Sequence, residues 1–205
     1  MSNNEENTTK LTTDSGQKLF QEKLGAYLSR LRKASGYDNA YDFAIAINIT
    51  ESQYGAYERG ERDIRLSTLR KILLGNNINL EDLLLPNSID GDKIDSALII
   101  KGNERRMEQV RKQVEIQNGK ADSIALGEND IDRIIKILIY CIRPRSKKDI
   151  LDKLMLSNTV NNFNRVAGLV EKNQWIAKTT PESPNNPKQQ YYTTENGKRI
   201  LNMMN

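Results

Sequence analysis

The chain contains no histidine, and this absence excludes several function classes at once. Without an imidazole there is no Ser–His or Cys–His nucleophile pair and no His-ligated metal site. A single cysteine, Cys141, rules out an intrachain disulfide and a thiolate zinc cluster. No run of 18 or more apolar residues occurs, so no membrane-spanning helix is expected. The opening MSNNEENTTKLTTDS has neither the basic start nor the apolar stretch of a signal peptide. Glycine-rich phosphate loops and paired-carboxylate motifs are missing too. These absences predict a cytoplasmic protein that is not an enzyme and uses no metal or cofactor. Aromatic residues make up only 6% of the chain and prolines number 5, which suits small helical domains with much surface.

At 205 residues the chain is long enough for two small domains. Its net charge of +4 is unevenly spread. Residues 1–17 carry 1 basic and 3 acidic side chains, and residues 18–85 carry 10 and 9. Residues 86–127 balance at 7 and 7, whereas 128–205 hold 13 basic against 8 acidic, a net of +5. A locally basic surface is the footprint expected of a nucleic-acid binder.

Residues 1–16 are polar and read as a disordered arm. From Gln17 to Lys33, Leu19, Phe20, Leu24, Tyr27, Leu28 and Leu31 recur at helical spacing, and Gly36 ends that helix. Asp38-Asn39 caps a helix from Ala40 to Ile47, with Phe43, Ala44 and Ile47 on one face. After the turn at Asn48-Ile49, Thr50 caps a further helix, TESQYGAYERG, stopped by Gly60. In it Tyr54 and Tyr57 are the only large apolar side chains, so they face the core, and Glu51, Ser52, Gln53, Gly55, Ala56 and Arg59 face out. Glu58, beside Tyr57, is a carboxylate that needs a partner, and Arg32 on the first helix is the candidate for a structural salt bridge. A helix from Leu66 to Leu74, with Leu66, Leu69, Ile72 and Leu73 inward, and one capped by Asn79 complete the segment.

Helix, turn and helix in this order resemble the Cro/phage-repressor (XRE-type) family of five-helix DNA-binding domains. The residues that carry the resemblance are LSRLRKASGY (28–37), DFAIAINIT (42–50), YERG (57–60), LSTLRKIL (66–73) and INLEDLL (78–84). The resemblance implies that TESQYGAYERG is a recognition helix, reading DNA with Thr50, Glu51, Ser52, Gln53 and Arg59. Glu suits cytosine N4, Gln adenine, and Arg guanine or phosphate. It also implies that Arg62 and Arg65 lie on a loop along the DNA backbone. The alternatives are a solvated charged loop, with Glu61 and Asp63 as partners, and a domain used for dimerisation or for a protein partner.

PNSIDGDK (86–93) reads as a linker. Beyond it, Asn103 is expected to cap a helix through Gln117, whose narrow stripe Met107, Val110 and Val114 packs either within the chain or on a second copy. A dimer seam is favoured, because repressor-like domains are used in pairs on two half-sites.

Residues 128–205 read as a separate α+β domain. Ile131, Ile134, Ile135, Leu138 and Ile139 define a helix broken by Pro144, and Ser146 caps a second helix. The third runs from Thr159 to Asn173, with Val160, Phe163, Val166, Ala167, Leu169 and Val170 inward. Two strands (175–178 and 189–194), joined by TPESPNNPK, precede a short final helix. This order, with RPRSKKDI, LVEKNQWI and QQYYTTENGKRI, resembles the C-terminal winged-helix domains of bacterial Fic-type and AlbA/Schlafen-like regulators. The resemblance implies that Asn158, Thr159, Asn161, Asn162 and Arg165 face a major groove, and that Arg143, Arg145, Lys147, Lys148 and Lys188 meet phosphates.

The sequence therefore predicts a mainly α chain of four parts: a disordered arm (1–16), a repressor-like domain (17–85), a linker with an amphipathic helix (86–127) and a winged helix (128–205). The expected function is a dimeric, sequence-specific regulator of a bacterial operon or mobile element, a repressor that binds double-stranded DNA. The alternatives are an antitoxin-like partner of a separate effector protein and a non-specific structural nucleic-acid binder.

Overall fold

The first helix, α1 (Ser2–Ala34), is one continuous element of 33 residues, where a disordered arm and a helix starting at Gln17 were expected. No proline interrupts this stretch, so a helix held by its C-terminal half extends at little cost. Among the described side chains its buried face begins at Leu24. Tyr27, Leu28 and Leu31 are fully buried, but Leu19 and Phe20 are 54% and 53% exposed, which corrects their expected place in the core. The helix ends in a Schellman turn: Gly36 has φ +90°, its N–H donates to the Lys33 carbonyl at 3.0 Å, and the Tyr37 N–H donates to the Arg32 carbonyl at 3.2 Å. This computed structural model describes residues 2–83, 96–183 and 186–202.

α2 (Ala40–Ala46) and α3 (Glu51–Glu58) follow, each with a side-chain N-cap, Asn39 and Thr50 respectively. Asn48 takes the left-handed conformation in the turn between them, with φ 53°. α4 (Leu66–Gly75) and α5 (Leu80–Leu83) close this half of the chain. Phe43, Ile47, Tyr54, Tyr57, Ile72 and Leu73 are buried among these helices. Leu66, expected inward, is 66% exposed, because it is the first residue of α4 and precedes the turn that packs.

The linker 86–93 lies outside the described residues. α6 (Ser96–Asn118) starts ahead of Asn103, so Asn103 is an interior residue rather than a cap. Val110 and Val114 are fully buried against the rest of the same chain, which overturns the expected dimer seam at Met107, Val110 and Val114. The buried face is wider than the sequence suggested, because Arg106 continues it at i−4 from Val110. α7 (Lys120–Ala125) folds back beside α6, and Arg111 Nη1 donates to the Leu126 carbonyl at 2.9 Å.

The remainder runs α8 (Glu128–Tyr140), β1 (Arg145–Ser146), α9 (Lys147–Lys153), α10 (Val160–Lys172), β2 (Ile176–Lys178), β3 (Gln190–Thr193) and α11 (Glu195–Leu201). The strands form an antiparallel sheet of order β1-β3-β2, with Arg145 opposite Tyr191 and Ala177 opposite Tyr192. Two strands were expected; β1, at two residues, is too short to show alternation. Trp175, just before β2, is fully buried.

The two halves share one contiguous apolar core rather than standing apart. Polar ties cross between them. Arg106 donates to the Ser35 carbonyl at 3.0 Å and the Leu201 carbonyl at 3.1 Å, and Asn77 Nδ2 donates to the same Leu201 carbonyl at 2.8 Å. Asp82, at the end of α5, receives Lys101 at 2.7 Å and Arg105 at 2.8 Å from α6. Buried carbonyls are expensive to leave unpaired, so these donors fix where α11 sits.

Candidate nucleic-acid interface

α3 is held from behind by two devices. Arg32 Nε reaches Glu58 Oε1 at 2.7 Å and Nη2 reaches Oε2 at 3.1 Å, with side-chain exposures of 5% and 11%. Arg32 Nη1 also donates to the Tyr37 carbonyl at 2.7 Å, so one guanidinium joins α1, α3 and the turn before α2. Burial alone would lower the Arg32 pKa, but the Glu58 carboxylate more than offsets this and raises it. Burial and the Glu58 carboxylate push the Tyr54 phenol up. The second device is close backbone approach. A Cβ on Gly25 would lie 2.5 Å from the Tyr57 carbonyl oxygen, so only glycine lets α1 cross α3 here. Gly60, at φ +67°, turns the chain away beside the backbone of Glu22.

The opposite side of α3 is polar. Glu51 and Ser52 are exposed, and Thr50 is tied by its cap, its oxygen accepting from the Gln53 N–H at 3.4 Å. Gln53 is half-buried, and its amide donates to the Tyr57 hydroxyl at 2.7 Å. A bidentate Gln–adenine contact therefore requires breaking that bond. Arg59 is exposed but gripped by Glu61 at 2.7 and 2.8 Å. The hydrogen bond from Arg59 lowers the Glu61 carboxyl. Asp63 accepts from Gln17 and Gln21 of α1. With both acids of the loop engaged elsewhere, Arg62 and Arg65 are exposed and form no ion pair among the described residues.

The second polar surface is at the start of α10. Thr159 caps that helix, accepting from the Asn162 N–H at 3.1 Å. Asn158, Asn161 and Arg165 are exposed. Asn162 is not available to read a base, because its amide donates to the Ser157 carbonyl at 2.8 Å and the Ser157 hydroxyl at 2.9 Å, bracing the turn before the helix. Val160, expected inward, is 61% exposed, since the inward face begins one turn later with Phe163. Lys147, Lys148, Asn158, Val160, Asn186 and Gln189 line one groove between α9, the tip of α10 and the β2–β3 loop. Lys188 is exposed on that loop.

Two basic residues assigned to phosphate lie elsewhere. Arg143 pairs with Asp42 of α2 at 2.8 Å and stands over the Tyr41 ring at 5.6 Å. Arg145 donates from Nε to the Tyr140 carbonyl at 3.3 Å and covers the Tyr140 ring at 4.5 Å. Arg143 is spent on a partner across the fold, which the sequence could not reveal, whereas Arg145 folds back onto Tyr140 five residues earlier, its Nη1 and Nη2 making no hydrogen bond among the described residues. Arg106, which it did not single out, ties the halves together; its only signal was the i, i+4 relation to Val110.

No helix of the described residues is long and apolar enough to cross a membrane, and no group of three or more metal-ligating side chains occurs among them. The chain matches no curated protein and no solved structure. Residues 28–83, the segment from the last turns of α1 through α5, match a family model described as helix-turn-helix.

Proposed function

We propose that the chain is a sequence-specific regulator of transcription that binds double-stranded DNA through the exposed face of α3, acting as a repressor of a bacterial operon or mobile element. The observation that carries this reading is the contrast between the two faces of α3. Its back is fixed by a buried ion pair and close glycine contact, its front presents Glu51 and Ser52, and the loop that follows carries Arg62 and Arg65, which form no ion pair among the described residues. Rigid presentation of polar side chains beside free cations is what base readout with phosphate positioning needs. The helix-turn-helix match over the same residues supports it.

We read residues 128–202 as a winged helix. The support is the order of three helices and an antiparallel sheet, in which the β2–β3 loop stands beside the start of α10. In this reading Asn158, Asn161 and Arg165 approach bases while Lys147, Lys148 and Lys188 take phosphates. Pairing of two copies on two half-sites stays part of the proposal, with a seam away from the buried face of α6. The test is fluorescence anisotropy with duplexes recovered by selection and with scrambled controls. Preference for the selected sequence supports a regulator. Equal affinity for both points to a structural nucleic-acid binder, and no affinity for either points to a protein partner.

A further inference from the structure

We infer that the cavity between the α1–α2 corner and α8 is a binding site for a small organic anion with an apolar or aromatic body, its charge received by Arg106 and Arg145. This goes beyond the DNA-binding reading and does not depend on it.

The cavity measures about 370 Å³, within the roughly 300–1,000 Å³ usual for small-molecule sites. Met107, Ile135, Ile139 and Tyr140 supply its apolar lining. Its charged lining is unbalanced, with Arg106, Lys136, Arg143, Arg145 and Lys153 against Asp38, Asp42 and Asp132. Each of the three acids already has a cation: Asp42 has Arg143 at 2.8 Å, Asp38 has Lys153 at 3.3 Å and Asp132 has Lys136 at 2.7 Å. Arg106 and Arg145 make no ion pair with a carboxylate among the described residues, though the nearby Asp149 carboxyl feels the Arg145 charge.

Arg106 is the decisive residue. It is 2% exposed, its Nε and Nη1 are held by two backbone carbonyls, and its Nη2 is enclosed with no hydrogen-bond partner among the described residues. Carbonyl dipoles satisfy two donors but do not neutralise the charge, and burial lowers the pKa of this guanidinium. A buried cation without a counter-ion is expensive, and a bound carboxylate or phosphate monoester would offset that penalty. The walls come from both halves of the chain, so an occupant bridges the α1–α2 corner to α6 and α8.

The experiment is calorimetric titration and thermal unfolding of the full chain with phenyl phosphate and benzoate, and with benzamide and inorganic phosphate as probes lacking the charge or the ring. Phenyl phosphate should bind one to one and raise the unfolding midpoint by about 3–6 °C at ten times its dissociation constant. Benzamide should cause no shift, and inorganic phosphate should bind at least tenfold more weakly. Arg106→Met should abolish binding. Should that variant not fold, Arg145→Met, expected to bind at least tenfold more weakly, and Ile139→Trp, which fills the apolar lining, decide the matter. The inference is overturned if phenyl phosphate gives no shift, if inorganic phosphate binds as tightly, or if binding is unchanged in both Arg145→Met and Ile139→Trp.

Discussion

Replacing Glu58 by Ala removes the acceptor of two charge-assisted hydrogen bonds from Arg32, at 2.7 and 3.1 Å, and of a third from the Ser29 hydroxyl at 3.2 Å. Hydrogen bonds to charged groups contribute about 1.5–3 kcal/mol each. The Arg32 guanidinium is left buried with the Tyr37 carbonyl as its remaining strong acceptor. The loss should therefore reach about 3–5 kcal/mol, the range for a buried pair deprived of one partner. With a urea m-value of about 2 kcal/mol/M, the unfolding midpoint falls by about 2 M. Because one contiguous core joins the halves, the transition should stay single, whether followed by Trp175 fluorescence or by circular dichroism. The double variant Arg32→Met/Glu58→Leu removes both charges and should recover most of the loss, since well-packed apolar replacement of a buried pair is often neutral. A midpoint shift below about 0.3 M for Glu58→Ala would refute the reasoning, as would a double variant as unstable as the sum of the singles.

Further outcomes follow from other sites. Burial alone would raise the Asp82 carboxyl, but hydrogen bonds from Arg105, Lys101 and the Asn79 amide hold it well below the ordinary value of about 3.9. A depressed folded-state pKa gives stability that is fully present above the unfolded value and is lost as pH falls below it, so Asp82→Asn should flatten the acid limb of the stability profile between about pH 5 and 2. Burial pushes the Cys141 thiol up to about 12, so at pH 8 a thiol reagent should label it only as the chain unfolds, and rapid native labelling would contradict its packing. Val110→Glu places a charge in a fully buried position and should lower the urea midpoint, with light-scattering mass unchanged in the folded fraction. Arg165→Ala and Lys188→Ala should each reduce the salt slope of DNA binding by about one unit, and unchanged slopes would remove the start of α10 from the interface.

The parts of this fold legible in the sequence are those governed by local chemistry. Thr50, Asn39 and Ser146 are caps because their side chains bond to the backbone three residues on, and spacing alone exposes that. The Arg32–Glu58 pair was legible because each residue adjoins an inward-facing neighbour on its own helix. What the sequence hid depends on distant partners. Arg143 looks like any member of a basic cluster before Asp42 of α2 is placed beside it. Met107, Val110 and Val114 form the same stripe whether they pack within the chain or on a second copy, and only the burial of Val110 and Val114 against the rest of the chain, continued by Arg106, shows which. Asn162 reads as an amide at the tip of a helix until both its donors are found on Ser157.

The most direct test of the DNA-binding account is to select duplexes from a random pool with the purified full chain and to measure the recovered sequence by anisotropy against Ser52→Ala, Glu51→Ala and Arg62→Ala variants. An enriched motif is expected. Affinity for it should fall by about 1–3 kcal/mol on losing a base contact at Glu51 or Ser52, and Arg62→Ala should weaken all sequences alike. Failure to enrich any motif, or an enriched motif bound equally well by all three variants, would contradict the assignment of α3 as the reading helix.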